Sequence, residues 1–345
     1  MKKIICFALT LLFLFSFCLP CFAVSLNDGK DALNKQFFHG EGPLADGISL
    51  DYRYFAPETG EEPLKYPLVV WLHGHANGEK DGYQLQSNSI SNWSSAEFQS
   101  RFTEGKAYIL AARAPEDKGL SWRSELKPAL KLAIDDFILK NSEHIDPARI
   151  YLGGYSMGGM MTIEMAETYP QMFAAIFPVC PYISPSDYSG ENFGNVPVWL
   201  TSGKNDHLVN YNSMTKRNWE EIVSCSLKPQ DCRFSTLQKV CYPNGKSAPT
   251  QHYSWEAVTY DMFSSSDSDY PHMTTVNGKG EEISLTFPKG MIHWLCSFES
   301  AYSLNQIDLS QTGSEKPPFN IFDYVGMFFT RIYIFFRNLI RPITG

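Results

Sequence analysis

The sequence predicts an α/β protein with a mostly parallel, doubly wound sheet covered by helices on both faces. Three observations carry this. Short apolar runs recur over residues 66–72, 107–112 and 149–153, the signature of strands buried on both faces, and further strands are expected over 174–179, 196–201 and 233–240. Stretches with helical spacing lie between several of them, and this alternation is what crossover connections between parallel strands require. Finally, Gly154-Tyr155-Ser156-Met157-Gly158 stands where one of these runs gives way to a helical pattern.

Taken in order, the chain opens on Met1-Lys2-Lys3, an apolar run over 4–17 and a small residue at Ala23. That pattern predicts an export signal over 1–23, cleaved after Ala23. Neither Cys18 nor Cys21 follows the Leu-small-small sequence of a lipid-modified leader. Residues 24–305 form one expected domain, long enough to bury about three quarters of the unfolded chain's surface. Within it, residues 48–55 alternate apolar and polar positions and predict an edge strand. Helices are expected over 125–141, with Pro128 in the first turn, over 157–168 before Pro170, over 213–224, and over 291–302. Residues 264–289, rich in Ser, Asp and Gly, predict a surface excursion.

Residues 306–318 predict a polar, proline-containing linker, and 319–345 an amphipathic tail helix. On its helical wheel Thr330, Arg331, Arg337, Asn338 and Arg341 gather within a third of the circle. The arginines disfavour a membrane span, so the tail is expected either to lie flat on an anionic membrane or to pack on its own domain or a partner.

A formal net charge of -8 without a broad basic stretch excludes nucleic acid as an expected partner. Beyond the signal the chain keeps Cys180, Cys225, Cys232, Cys241 and Cys296, so at most two disulfides can form. If 232–241 is one strand, its ends lie about 30 Å apart and cannot be bridged. Cys225 with either neighbour is therefore the expected pair.

The chemistry centres on Ser156. A serine at a sharp turn from strand to helix stands clear of the sheet, and flanking glycines let neighbouring backbone approach closely. The helix that begins there aims its first N–H groups at the site, which makes the backbone N–H of Met157 one expected oxyanion donor. The loop after the strand at 66–72 reads His73-Gly74-His75, and the backbone N–H of His75 is the expected second donor. His73 is expected to fix that loop structurally. No further ligands stand at metal-motif spacing around the two histidines, so no metal and no cofactor are expected.

A hydroxyl nucleophile needs a base, and the base needs an orienting acid. Asp206 lies just beyond the strand at 196–201, where a sheet enzyme places an acid. For the base, His252 and His293 compete, with His207 and His272 behind them. His252 stands in a loop after the last expected strand, whereas His293 falls at the start of the last expected helix, which favours His252.

These residues resemble the α/β-hydrolase superfamily, and within it the bacterial secreted esterases and peptidases related to prolyl oligopeptidase and polyhydroxybutyrate depolymerase. The resemblance spans about residues 48–300. Tyr66-Pro67-Leu68-Val69-Val70-Trp71-Leu72-His73-Gly74 resembles the oxyanion strand and loop, and Ile145-Asp146-Pro147 through Gly159 resembles the nucleophile elbow with its approach. Pro170 to Ala175 resembles the segment after the elbow helix, Pro197 through Asp206 the acid strand and loop, and His252-Tyr253-Ser254-Trp255 the His-x-x-Trp around the base. The resemblance makes His252 the base and expects no catalytic residue in Met291-Ile292-His293-Trp294-Leu295. The loop from His75 to Lys80 and the long insertion after His252 depart from the family pattern, and both border the expected cleft.

Together these residues predict a secreted serine hydrolase acting through an acyl-enzyme on Ser156, with Asp206 and His252 completing the triad and water or another alcohol as the acceptor. An ester, small or polymer-linked, is favoured over a peptide. The alternatives are a prolyl-oligopeptidase-like peptidase and a catalytically silent surface-binding protein of the same fold. Trp93, Trp122, Trp255 and Tyr155 suit aromatic or carbohydrate-linked esters, or else belong to the core.

Overall fold

A computed structural model describes residues 33–309, except for 60–63, 76–80, 87–88, 117–120, 190–192, 265–272 and 285–289. The expected signal over 1–23, the tail helix over 319–345, most of the linker and His272 lie outside the described residues.

Nine strands form one sheet: β1 Phe38–Glu41, β2 Asp51–Phe55, β3 Tyr66–Leu72, β4 Tyr108–Ala112, β5 Ile145–Tyr155, β6 Ala175–Val179, β7 Trp199–Gly203, β8 Arg233–Leu237 and β9 Met273–Asn277. Their order is β1-β2-β4-β3-β5-β6-β7-β8-β9. The central strands β4, β3, β5, β6, β7 and β8 run parallel, and antiparallel strands flank them on both sides.

The reason is visible in β3, where all seven residues are buried. Alternate side chains point to opposite faces: Leu68, Val70 and Leu72 join one apolar cluster, and Val69 and Trp71 the other. A strand apolar on both faces is stable only between two covering layers. One layer includes α3 Lys127–Lys140 and α4 Met157–Thr168, whose Leu130, Ile134, Met161 and Met165 fill the first cluster. The opposite layer includes the segment with α1 Tyr83–Gln86 and α2 Ala96–Gln99, and also α6 Trp255–Thr259 and α7 Met291–Leu295. Helix α5 Lys216–Cys225 lies on the first side, with Trp219 stacked on Phe234 of β8.

Several expectations are corrected. The region read as a surface excursion contains β9, which pairs antiparallel with β8, so β8 is not the last strand. Its alternation is weak because its two apolar side chains fall on opposite faces, Met273 against one cluster and Val276 against the other, among Thr274, Thr275 and Asn277. The strand expected over 48–55 is one position in from the edge, which β1 occupies. The last helix ends at Leu295, well short of 302. Ile307 and Leu309, expected to begin a linker, pack against the core. Cys225 and Cys232 are both free thiols, and the expected bridge from Cys225 is not formed. Cys225 closes α5 with its sulfur 4.0 Å from the Ser189 carbonyl oxygen, while Cys232 is buried with its sulfur 3.6 Å from Ser226 Oγ.

Candidate active site

Strand β5 ends at Tyr155 and α4 begins at Met157, which leaves Ser156 alone to turn the chain. It does so at φ 55° and ψ -115°, a conformation that costs a residue with a side chain about 1 to 3 kcal/mol. Three backbone bonds hold it: Ser156 N–H donates to the Val179 carbonyl at 2.9 Å, and the N–H groups of Met160 and Tyr182 each donate to the Ser156 carbonyl at 3.0 Å. The flanking glycines are required by backbone contact. A Cβ on Gly158 would lie 2.2 Å from the Leu72 carbonyl oxygen and 2.4 Å from that of His73, and one on Gly154 would lie 2.7 Å from the Leu72 oxygen. The close approach brings the end of β3, and with it His73-Gly74-His75, against the start of α4. Met157 N–H, in the first turn of α4, has no acceptor within its own helix.

His73 is fully buried and holds this loop with both ring nitrogens. Nδ1–H donates to the Gly74 carbonyl at 2.6 Å, and Nε2 accepts from Ala114 N–H at 3.0 Å. Burial pushes its pKa down to about 4, so the ring is neutral, as that pair of bonds demands. The carbonyl of His73 also accepts from Trp122 Nε1–H at 2.9 Å. His75 is exposed, with Nδ1 2.5 Å from Ser121 Oγ.

Asp206 lies three residues beyond β7, and both its carboxylate oxygens are engaged. Oδ1 accepts from Leu208 N–H at 2.9 Å and Val209 N–H at 3.0 Å, while Oδ2 lies 2.7 Å from His252 Nδ1. Both residues are buried, His252 retaining 8% of its surface. His252 sits in a 3-10 turn, Gln251–Ser254, where its own N–H donates to Thr250 Oγ1 and its ring meets Trp255 edge-on at 5.5 Å. Burial works against a charged imidazolium here, but the Cys180 sulfur and the Asp206 carboxylate more than offset it, and the His252 pKa is raised.

The segment after β6 joins the two halves of the site. Val179 and Tyr182 bond the backbone of Ser156, and between them the Cys180 thiol donates to the His252 carbonyl at 3.5 Å. The structure thus brings Ser156, Asp206 and His252 to one end of the parallel strands. His293 is placed elsewhere. It is exposed on α7, and its neighbour Trp294 donates to the Asp231 carbonyl ahead of β8 and packs on Trp199 at the start of β7, at the opposite end of the strands. His207 is exposed beside Asp206.

Trp93, Trp122, Trp255 and Tyr155 are all buried, so they are core residues. The exposed apolar side chains beside the site are Tyr182 and Leu208, at 51% and 58% exposure. Sequence reasoning missed both, as well as Cys180. The signal that could have found them was adjacency, since each lies within a few residues of a strand end or of Asp206.

Comparison with known proteins agrees with this topology. A Phospholipase/Carboxylesterase family model matches residues 127–241, a span that holds Ser156 and Asp206 and stops before His252. A solved thermostable esterase superimposes on 78% of this chain and 64% of its own, with a TM-score of 0.56 at 22% identity. The chain has the α/β-hydrolase fold. Among curated relatives, a bifunctional acetylxylan esterase/xylanase of Neocallimastix patriciarum is 26% identical over 216 residues, 61% of this chain and 28% of that protein. A poly(3-hydroxyalkanoate) depolymerase C of Paucimonas lemoignei is 41% identical over 134 residues, 35% of this chain and 29% of that protein. The matched region is thus less than a third of either relative's length. No helix among the described residues is long and apolar enough to cross a membrane.

Proposed function

We propose that this chain is an exported serine esterase. Ser156 Oγ attacks an ester carbonyl while His252, held by Asp206, takes its proton. The tetrahedral intermediate collapses with His252 returning that proton to the leaving alcohol, and water, activated by the same imidazole, releases the acyl group. The N–H groups of Met157 and His75 hold the oxyanion in both steps, each worth about 3 to 4 kcal/mol in a site of this kind. Residues 1–23 direct export.

The observation that carries this reading is the buried Asp206–His252 pair at 2.7 Å, tied through residues 179–182 to a serine in a strained turn. A backbone conformation of that cost persists where the surrounding structure enforces it, and here it stands Ser156 clear of the sheet. Tyr182, bonded to the Ser156 backbone, and Leu208, bonded to Asp206, offer exposed apolar surface for an acyl or alcohol group to cover. The names of the esterase and depolymerase relatives favour esters over a peptide backbone.

Labelling with a fluorophosphonate probe tests the assignment. Labelling of the parent and of His293→Ala, with loss in Ser156→Ala and His252→Ala, is expected. A folded parent that takes no label refutes the enzyme reading. A panel of short acyl esters and peptides then separates ester from amide hydrolysis.

A further inference from the structure

Cys180 has no part in acyl transfer, yet it stands against the residues that do. It follows β6 directly, is fully buried, and holds a positive φ of 35° that a residue with a side chain seldom adopts. One donor atom each from Cys180, Asp206 and His252 lie within 4.8 Å of one another, and all three residues are buried. No other group of this kind occurs among the described residues.

We propose that Cys180, Asp206 and His252 form a binding site for a soft divalent cation, with Zn²⁺ as the physiological class, and that occupancy switches the hydrolase off. Three arguments support it. The donor set is one sulfur, one imidazole nitrogen and one carboxylate oxygen, which suits zinc and cadmium and disfavours the hard cations magnesium and calcium. Zinc bonds of about 2.0 to 2.3 Å place tetrahedral donors about 3.3 to 3.8 Å apart, within the spread observed, so the site closes by small side-chain adjustments. Finally, a thiolate and a carboxylate together neutralise a dication, which satisfies the need for compensated charge in a buried place.

On binding, the Cys180 S–H bond breaks, an Sγ–metal bond forms and the proton leaves to solvent. The Asp206 carboxylate binds as it stands, through Oδ2, because Oδ1 is held by two backbone N–H groups. The neutral imidazole moves its proton from Nδ1 to Nε2 by exchange with solvent and gives the freed Nδ1 lone pair to the metal, and the fourth position is left to water. A metal-bound His252 no longer pairs with Asp206 as a base, so hydrolysis stops; this consequence rests on the proposed esterase mechanism, whereas binding itself does not.

The test separates the two. In the Ser156→Ala chain, which turns nothing over, Cd²⁺ is titrated while the thiolate-to-cadmium ultraviolet band is followed. One cadmium per chain with a saturating band is expected, with loss of the band in Ser156→Ala/Cys180→Ala. At least about tenfold weaker binding is expected in Ser156→Ala/His252→Ala, which keeps the thiol. Four other described cysteines remain in the Cys180→Ala protein, so an undiminished band there would overturn the proposal. In the active chain, Zn²⁺ should inhibit reversibly, with recovery on adding EDTA, and Cys180→Ala should need at least about tenfold more zinc relative to its own metal-free rate. Should Cys180→Ala fail to fold, Cys180→Ser keeps the volume and replaces the soft donor. Inhibition equally strong in these variants refutes the site, while binding without any measurable hydrolysis refutes the esterase reading alone.

Discussion

Replacing Asp206 by Asn isolates what the carboxylate does. Asp206 Oδ1 accepts from the N–H groups of Leu208 and Val209, so an asparagine keeps its amide oxygen at that position to serve the same donors. Its NH₂ group then takes the place of Oδ2, 2.7 Å from His252 Nδ1. Two donors cannot share that contact, so His252 turns to the tautomer that accepts at Nδ1 and carries its proton on Nε2. The nitrogen that should receive the Ser156 proton is then already protonated. A loss of about 10⁴-fold in kcat follows from a reversed tautomer, equivalent to about 5.5 kcal/mol of barrier. The assay is kcat/KM on a short-chain aryl ester, beside a circular dichroism melt and the fluorophosphonate labelling rate. A folded Asp206→Asn protein within tenfold of the parent refutes the orienting role and, with it, the choice of His252.

Three further outcomes are expected. Gly158→Ala, which drives a Cβ to 2.2 Å from the Leu72 carbonyl oxygen, should destabilise by at least about 3 kcal/mol, read from urea denaturation, because backbone rather than a flexible side chain must yield. Since the His252 pKa is raised and the base must be neutral, the acid limb of kcat/KM against pH should fall above the ordinary histidine value of about 6.5; a limb below it contradicts the arrangement. The same shift stabilises the fold fully below about pH 6.5 and ceases to do so as pH rises through the folded value. Burial pushes Asp261 up to about 6, against the pull of Arg101 and the N–H groups of Met291 and Ile292, so the folded state binds its proton more tightly than the unfolded chain. Stability should therefore fall by up to about 3 kcal/mol as pH rises from about 4 through 6, a dependence that Asp261→Asn flattens in denaturant titrations at stepped pH.

The sequence by itself determined the parallel core, since runs such as Leu68 to Leu72 are apolar on both faces and have one stable placement, between two layers. It also determined the elbow: a serine between glycines, at the junction of a strand pattern and a helix pattern, is a local signal that needs no distant partner. Only the tertiary structure decided the rest. Loop position and the resemblance around His252 favoured it over His293, but its partner is a tertiary fact: Gln251–Ser254 folds back to Asp206 while α7 packs at the far end of the strands. Strand β9 was illegible because its pairing with β8 is made by backbone groups and its two apolar side chains, Met273 and Val276, lie on opposite faces and leave no period-two signal. Cys180 reads as a lone cysteine in the chain, and becomes a neighbour of Asp206 and His252 only because three strand ends converge. Adjacency across a parallel sheet is set by strand order, which side-chain periodicity does not encode.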